Sequence, residues 1–257
     1  MFSIVSWNVN SINSRLERVV NFLKTRQPDV LCLQELKCLE EKYPFEAIKA
    51  AGYESATFGQ KAYNGVAILS KKKATKIECG FGDKVKDEQS RFIAGTVNGI
   101  RIMSAYVPNG QDIGTDKYKY KLKWLKRLRR HLDTNYKKTQ KIVLVGDFNI
   151  APEDRDCYAP DRWRGKILFS EPEKKALKEV MDFGLEDTFR LHHQEAGKYS
   201  WWDYRQLAFQ KGRGLRIDFV LGTPPMIKLC TGAEINRDER KGIKPSDHAP
   251  VIAEFKI

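Results

Sequence analysis

Residues 142–149 read IVLVGDFN, an apolar run that becomes polar at its end. Four consecutive leucine or β-branched residues predict a buried strand of a sheet. Where such a strand ends, a side chain leaves the sheet and can point into a cleft. We therefore expect Asp147 and Asn149 to lie beside a cleft at the end of a buried strand.

Similar apolar runs recur along the chain, with helical patterns between several of them. The predicted strands cover residues 2–9, 29–33, 65–70, 92–97, 101–107, 141–145, 215–221 and 249–255. Asn98 and Gly99 are typical of a type I′ hairpin turn, so part of the sheet is antiparallel. Ser170 and Glu173 match a capping box, which predicts the start of a helix. The sequence therefore predicts a mixed α/β fold.

The composition indicates a folded protein with an excess of basic charge. Of the 257 residues, 41% are hydrophobic, which excludes global disorder. No repeat, linker or low-complexity segment marks a boundary, so we expect one domain over residues 1–257. The 46 basic and 33 acidic side chains give a net charge of +13. This charge is typical of nucleic-acid binding, but it also fits membrane surfaces or simple solubility.

The sequence indicates neither membrane insertion nor secretion. No apolar run approaches the roughly 20 residues that cross a bilayer. The start, MFSIVSWNVN, lacks a basic region followed by an apolar one. The five cysteines are scattered and contain no C-x-x-C pair. We expect a soluble protein of the reduced cytoplasm.

The longest helical pattern, residues 116–138, is strongly basic. Between Lys117 and Lys141 there are eleven Lys or Arg residues and a single acid, Asp133. Two interpretations remain open: an ordinary solvated surface, or a surface that contacts a phosphate backbone. The phosphate contacts expected in the second interpretation include Lys121, Arg129 and Arg130.

Polar residues border several of the apolar strands or interrupt them. They are Asn8, Glu35, Tyr106, Asp147, Asn149, Asp218, Asp247 and His248. Each alone has an ordinary explanation, as a turn former, a loop residue, a helix cap or a core histidine. Together they supply hard oxygen ligands and a histidine without thiolates, which suits Mg²⁺ or Mn²⁺ rather than zinc. A magnesium site in a basic protein indicates phosphate ester chemistry.

Seven motifs, in order along nearly the whole chain, resemble one known family. They are SWNVN at 6–10, LQE at 33–35, NGVAI at 64–68, GDFN at 146–149, WxDYR at 201–205, LRID at 215–218 and PSDHAPV at 245–251. The chain resembles the exonuclease III family of class II apurinic/apyrimidinic endonucleases, within the DNase I-like superfamily. GDFN and SDH occur across the superfamily, whereas NVNS, LRID and PSDHAPV are specific to the nuclease branch.

The resemblance implies a four-layer α/β sandwich, with two mixed sheets packed face to face, helices on both outer sides and a cleft at one edge. It implies that Glu35, helped by Asn8 and Asp247, forms the metal site. The full set of metal candidates is Asn8, Glu35, Asp147, Asn149, Asp247 and His248.

The resemblance also implies catalytic roles. Asp147 resembles the residue that activates or orients the attacking water, and Asn149 the one that holds this water or the phosphate. Asp218 would orient His248, whose imidazole would donate to a phosphate oxygen as charge builds there. Tyr106 would contact the same phosphate or the leaving oxygen. These are the positioning and electrostatic roles that phosphoryl transfer requires.

DNA-binding candidates follow from the same resemblance. The implied pocket for an extruded abasic sugar is lined by Trp201, Leu215 and Ile217. The residues implied near the phosphate backbone are Arg91, Asn109, Arg213 and Arg216. Aromatic rings beside Arg205 suit stacking on an exposed sugar or base, but Trp202 is equally well explained as core.

Residue 168 departs from the family pattern. Abasic endonucleases of this family tend to carry small residues ahead of the matching phenylalanine, whereas here Leu168 precedes Phe169. If this loop overhangs the sugar pocket, Leu168 occupies volume that an abasic sugar needs, while a frayed 3′ end can still enter. Alternatively, Leu168 packs inward with Ile167. The first interpretation predicts that 3′-end processing exceeds internal abasic-site incision.

We therefore interpret the sequence as that of a Mg²⁺-dependent DNA repair nuclease. The expected activities are 3′ to 5′ exonuclease action, 3′-end cleaning and possible abasic-site incision, on duplex DNA with nicks, 3′ ends or abasic sites. Two alternatives stay open: another DNase I-like phosphoesterase, such as an inositol polyphosphate phosphatase or sphingomyelinase, and a DNA-binding module without catalysis. We expect a monomer.

Overall fold

The fold is described from a computed structural model that covers residues 1–257. The strands are β1 Phe2–Asn8, β2 Val30–Gln34, β3 Glu54–Phe58, β4 Val66–Ser70, β5 Thr75–Cys79, β6 Phe92–Val97, β7 Ile100–Tyr106, β8 Ile142–Asp147, β9 Glu186–Asp187, β10 Asp218–Gly222, β11 Cys230–Ile235 and β12 Val251–Phe255. The α-helices are α1 Leu16–Arg26, α2 Phe45–Ala50, α3 Asp116–Asn135, α4 Pro160–Trp163, α5 Glu171–Met181, α6 Thr188–His192 and α7 Pro224–Ile227. No helix combines the length and the apolar character that crossing a membrane requires.

The strands form two mixed sheets of six strands each. The first has the order β11-β12-β1-β2-β4-β3, and the second has the order β5-β6-β7-β8-β10-β9. Each sheet contains one parallel pair, β1 with β2 and β7 with β8, and its other neighbours are antiparallel.

Three buried apolar clusters show how the layers stack. One lies between the sheets and joins Ile4 and Val30 of the first sheet to Ile102 and Val145 of the second. Another packs the first sheet against α1 and α2, and a third packs the second sheet against α3 and α5. Helices therefore cover both outer faces, which confirms the predicted four-layer α/β sandwich.

Strand β8 shows why the inner strands are apolar without interruption. Ile142 and Leu144 belong to the cluster on the helix side, whereas Val143 and Val145 belong to the cluster between the sheets. All four are fully buried. Successive side chains of a strand point to opposite faces, and here both faces are covered.

The local turn and cap signals are confirmed. Asn98 and Gly99 have φ angles of 49° and 76° and connect β6 to β7, which are antiparallel. Ser170 and Glu173 form the capping box at the start of α5. Four strands were not predicted, and they are the outermost strands of the two sheets: β3, β5, β9 and β11.

Candidate active site

The ends of several strands meet at one edge of the sandwich. The parallel strands β1 and β2 end at Asn8 and Gln34, which are register partners. The parallel strands β7 and β8 end at Tyr106 and Asp147, also register partners. Strand β10 runs the other way, so its first residue, Asp218, pairs with Asp147. The topology therefore concentrates polar side chains at this edge.

Asn8 joins the two sheets at this edge. Its Nδ2 donates to Glu35 Oε1 and to Asp147 Oδ2, both at 3.0 Å. The hydroxyl of Tyr106 donates to Glu35 Oε1 at 2.8 Å. Burial, with help from Glu35 and Asp147, raises the pKa of Tyr106 well above its ordinary value. The phenol therefore stays protonated and remains a hydrogen-bond donor.

His248 lies between two carboxylates. Its Nδ1 is 2.9 Å from Asp218 Oδ2, and its Nε2 is 3.7 Å from Asp147 Oδ2. Burial opposes the charged imidazolium, but Asp218 and Asp147 outweigh it, so the pKa of His248 lies well above its ordinary value. Ser200 Oγ donates to Asp218 Oδ2 at 2.6 Å, a contact that no sequence motif indicated. The imidazole is therefore positively charged at neutral pH.

The turn after β8 positions Asp147 and Asn149. Gly146 is required there, because a Cβ atom would lie 1.8 Å from the carbonyl oxygen of Ala105. Asn149 has a φ of 52°, and its backbone N–H donates to Asp147 Oδ1 at 2.8 Å. Burial is the main reason that the pKa of Asp147 is raised, although His248 opposes the shift. This carboxylate therefore accepts a proton more readily than an exposed aspartate does.

The cluster has the chemistry of a divalent cation site. Lys37 places its ammonium 2.8 Å from Glu35 Oε2, so Glu35 already attracts a cation. Burial opposes ionisation of Glu35, but Lys37 and Asn8 outweigh it and lower the pKa of this carboxyl group. The ligand atoms of Asp147, Asp218 and His248 lie within 4.8 Å of one another. Hard oxygen donors of this kind suit Mg²⁺ or Mn²⁺.

A groove of about 1010 Å³ opens beside the cluster, and Trp201, Arg91 and Asn109 line it. Trp201 Nε1 donates to Asp247 Oδ2 at 3.0 Å. Asn109 Nδ2 donates to Asn149 Oδ1 at 3.1 Å. Asn149 and Asp247 of the cluster therefore adjoin this groove through Asn109 and Trp201.

Comparison with known proteins identifies the family. The model of the endonuclease/exonuclease/phosphatase family matches residues 5–248. The chain belongs to this family. One curated member, the exodeoxyribonuclease III of Haemophilus influenzae, is 35% identical over 98% of this chain and 99% of that protein. The resemblance to exonuclease III is thereby confirmed.

Several solved structures share the whole fold. NExo of Neisseria meningitidis, described as a 3′-5′ exonuclease, matches with a TM-score of 0.96 and 41% identity. The Neisseria protein has also been solved as a 3′ phosphatase bound to a product DNA hairpin, at the same TM-score and identity. An AP endonuclease from Archaeoglobus fulgidus matches with a TM-score of 0.97 and 37% identity. Each match covers 100% of both chains.

Arg216 is placed differently from the prediction made by resemblance to the family. It is 1% exposed, and its guanidinium donates to Asp156 Oδ1 at 2.6 Å and to Asp187 Oδ2 at 2.5 Å. A buried guanidinium held by two carboxylates is not available to a phosphate. The prediction that Arg216 contacts DNA is therefore wrong. Arg213 is exposed and forms no ion pair, but it does not line the groove.

The apolar residues predicted for a sugar pocket pack into a closed cluster. Leu215 and Ile217 are buried there with Leu168 and Phe169, and Trp201 packs against the cluster. Leu168 and Trp201 line the groove, but Leu215 and Ile217 do not. Leu215 and Ile217 therefore support the groove wall from below, which corrects the prediction that they line the pocket.

Trp202 and Leu168 are both buried near the groove. Trp202 is 2% exposed and packs with Ala208 and Ala249, so the core interpretation is confirmed. Leu168 is 4% exposed and has a φ of 72°, a conformation that leucine adopts only at a cost. It packs inward and also borders the groove.

One of the three predicted phosphate contacts on α3, that of Lys121, is wrong. Lys121 is fully buried, and its ammonium donates to Glu173 Oε1 at 2.5 Å and to the Asn149 and Asn109 carbonyls at 2.7 Å and 3.1 Å. Arg129 is paired with Asp133. The helix spacing indicates that Lys121 is buried, because Lys121 lies on the apolar face defined by residues 118, 125, 128 and 132.

We predict that Lys121→Met lowers the free energy of unfolding by about 3 kcal/mol, because Glu173 then stays buried without a counter-charge. Urea unfolding followed by circular dichroism measures the change. The exposed neighbouring variant Lys123→Met serves as the control and should stay within about 0.5 kcal/mol of the parent protein. Equal unfolding midpoints for both variants would show that the buried ion pair contributes nothing.

Proposed function

We propose that the protein is a Mg²⁺-dependent DNA repair nuclease that removes nucleotides and blocking groups from 3′ ends of duplex DNA. The observation that carries this proposal is the hydrogen-bonded cluster in which Asn8 links Glu35 to Asp147, with His248 on the other side of Asp147. Family relatives described as an exodeoxyribonuclease III, a 3′-5′ exonuclease and a 3′ phosphatase support it.

The chain's own side chains position the water and the phosphate. Asp147 accepts a proton from the attacking water or orients it, and its raised pKa suits this role. Asn149 holds the same water or the phosphate. His248, positively charged and oriented by Asp218, donates to a phosphate oxygen as negative charge develops. The Tyr106 hydroxyl, which donates to Glu35 Oε1, would contact the same phosphate or the leaving oxygen.

Glu35 and Asn8 would hold the metal, with Asp147, Asn149 and Asp247 nearby. When bound, the cation neutralises charge on the scissile phosphate. Asp247 is ionised, because His248, Trp201 and Asn10 lower its pKa although burial opposes this. The carboxylates therefore present the negative charge that a divalent cation requires.

We predict that Glu35→Gln raises the Mg²⁺ concentration for half-maximal activity roughly tenfold or more, because one ligand loses its charge. Direct Mn²⁺ binding, measured by calorimetry without DNA, should weaken in parallel. The control is Glu41→Gln, an exposed glutamate without an ion pair. If metal binding is unchanged in both variants, Glu35 is not part of the site.

DNA is favoured over smaller phosphate esters by the lining of the groove. Its wall combines aromatic rings with basic side chains: Tyr63, Tyr120, Trp163, Trp201, Arg91, Lys117 and Arg205. Aromatic rings stack on exposed bases or sugars, and cations bind the phosphate backbone. An inositol polyphosphate phosphatase or a sphingomyelinase has no need of such an extended aromatic wall. A DNA-binding module without catalysis would not need the ionised cluster.

The proposed substrates are tested with three matched duplexes in the presence of Mg²⁺. One is blunt, one carries a 3′-phosphate at a nick, and one carries an internal abasic analogue. We expect shortening of the first and removal of the phosphate from the second. If none of the three duplexes is hydrolysed, the proposed function is rejected.

Leu168 is proposed to restrict incision at internal abasic sites, since it borders the groove next to Trp201. We predict that Leu168→Gly raises incision roughly tenfold without raising the exonuclease rate. Glycine also adopts the positive φ at this position without strain. Leu168→Met keeps the volume and should leave the ratio of the two activities unchanged. Efficient incision by the parent protein, unaffected by Leu168→Gly, would reject this proposal.

We propose further that residues 1–257 act as one monomeric domain in the cytoplasm. The two sheets share one central apolar core, so neither is complete without the other. The five cysteines form no disulfide, which fits a reducing compartment. Light scattering should return a mass near 29.6 kDa, and twice that mass would reject the monomer.

A further inference from the structure

Four basic side chains of α3 have no counter-charge. They are Lys117, Lys123, Lys126 and Arg130, all exposed and all without an ion pair or a hydrogen bond from the side chain. The helix's other four basic residues are neutralised by carboxylates. Those residues are Lys119, Lys121, Arg127 and Arg129. We call the four unpaired residues the basic strip.

The basic strip continues the groove of the candidate active site. Lys117 and Tyr120 line that groove. Tyr120 also lines a second groove, with Lys123, Lys126 and Arg130. The two grooves share three residues: Gln60, Gln89 and Tyr120. The strip therefore leads away from the reacting centre along the surface.

The length and the chemistry of the strip fit a nucleic-acid backbone. Arg130 lies 13 positions after Lys117, which corresponds to about 20 Å along a helix. Duplex DNA rises 3.4 Å per base pair along its axis, so the strip spans roughly six base pairs. Val85 is the one exposed apolar residue of the second groove. A protein partner would need a larger apolar centre at its interface.

The acidic residues of the second groove do not cancel the strip. Asp87 is paired with Arg127 at 2.5 Å. Glu88 lies 3.6 Å from Lys86. The cations of the strip are therefore left to bind a polyanion.

We infer that the basic strip binds the sugar-phosphate backbone of the duplex arm beyond the reactive phosphodiester, and so extends the DNA footprint. This inference rests on the proposed nuclease function. Because phosphates are contacted rather than bases, the strip should increase affinity for long duplexes independently of sequence. It should leave the chemical step unchanged.

The test is the triple variant Lys123→Gln/Lys126→Gln/Arg130→Gln. Its matched control is Lys72→Gln/Lys73→Gln/Lys228→Gln, which removes three exposed, unpaired lysines at the far end of the sheets. Affinity is measured with chelator present, so that no cleavage occurs, for a 30-base-pair and an 8-base-pair duplex at several salt concentrations. Circular dichroism verifies that both variants are folded.

For the long duplex, the strip variant should lower the slope of log K against log salt by up to about 2.7, because each phosphate contact contributes about 0.9. The control variant should keep the parent slope for both duplexes, and the strip variant should show a smaller change with the short duplex than with the long one. A long-duplex slope equal to that of the control would overturn the inference. Mg²⁺-dependent cleavage by the parent protein is measured separately. Absence of cleavage would reject the proposed nuclease function, whereas normal cleavage with an unchanged slope would reject only the role of the strip.

Discussion

Asp147→Asn should reduce kcat by about 10²- to 10⁴-fold, the range that a positioned general base contributes. The amide occupies the same space, but it accepts no proton from water. Asn149→Ala should cause a loss of similar size, because it removes the side chain that donates from Nδ2 to Asp147 Oδ2 and accepts from Asn109 at Oδ1. DNA affinity should stay nearly constant in both variants, because the lost interactions act mainly in the transition state.

Single-turnover cleavage and a separate binding assay measure the two quantities. Asp161→Asn, at an exposed aspartate outside the groove, controls for the loss of one negative charge. Near-normal kcat in Asp147→Asn would remove this residue from the mechanism. A large loss of DNA affinity would instead assign it to substrate binding.

The His248 and Asp218 pair should behave as one unit. His248→Ala should lower kcat by about 10²- to 10³-fold, the cost of one donor to a developing oxyanion. The double variant His248→Ala/Asp218→Asn should lose little more, because Asp218 acts through the imidazole at 2.9 Å. Losses that multiply would show that the two residues act independently.

An NMR titration of His248 in the metal-free protein tests the same pair without catalysis. A carboxylate favours the charged imidazolium, so Asp218 raises the pKa of His248. Asp218→Asn should therefore lower this pKa, and the neutral imidazole should appear at a lower pH than in the parent protein. An unchanged titration would mean that Asp218 does not determine the charge of His248.

The inner strands and their polar ends were predictable because burial leaves a clear trace in the sequence. β8 is covered on both faces, so its apolar run is continuous until Asp147 leaves the sheet. The four edge strands have one neighbour each and are less buried than the inner strands: β3 and β11 are mostly half-buried, and every residue of β5 is exposed. Such strands need no apolar run, so the pattern that identified the inner strands was absent.

The main error of the sequence-based prediction concerns buried charged residues. The sequence-based prediction places Lys121 and Arg216 on the surface, because basic residues are seldom buried without partners. Their partners, Glu173 and the pair Asp156 and Asp187, are distant in sequence, so local spacing contained no sign of the pairing. Ser200 was not predicted as a site residue for the same reason, since its contact with Asp218 forms only after the chain folds.

Strands β1 and β12 are neighbours although they lie at opposite ends of the sequence. Ser246 Oγ donates to the carbonyl of Asn8, so the first and last parts of the site are built against each other. At roughly 5–20 residues per second, a ribosome makes β1 many seconds before β12. A nascent chain therefore has no complete active site until β12 has been made and has paired with β1.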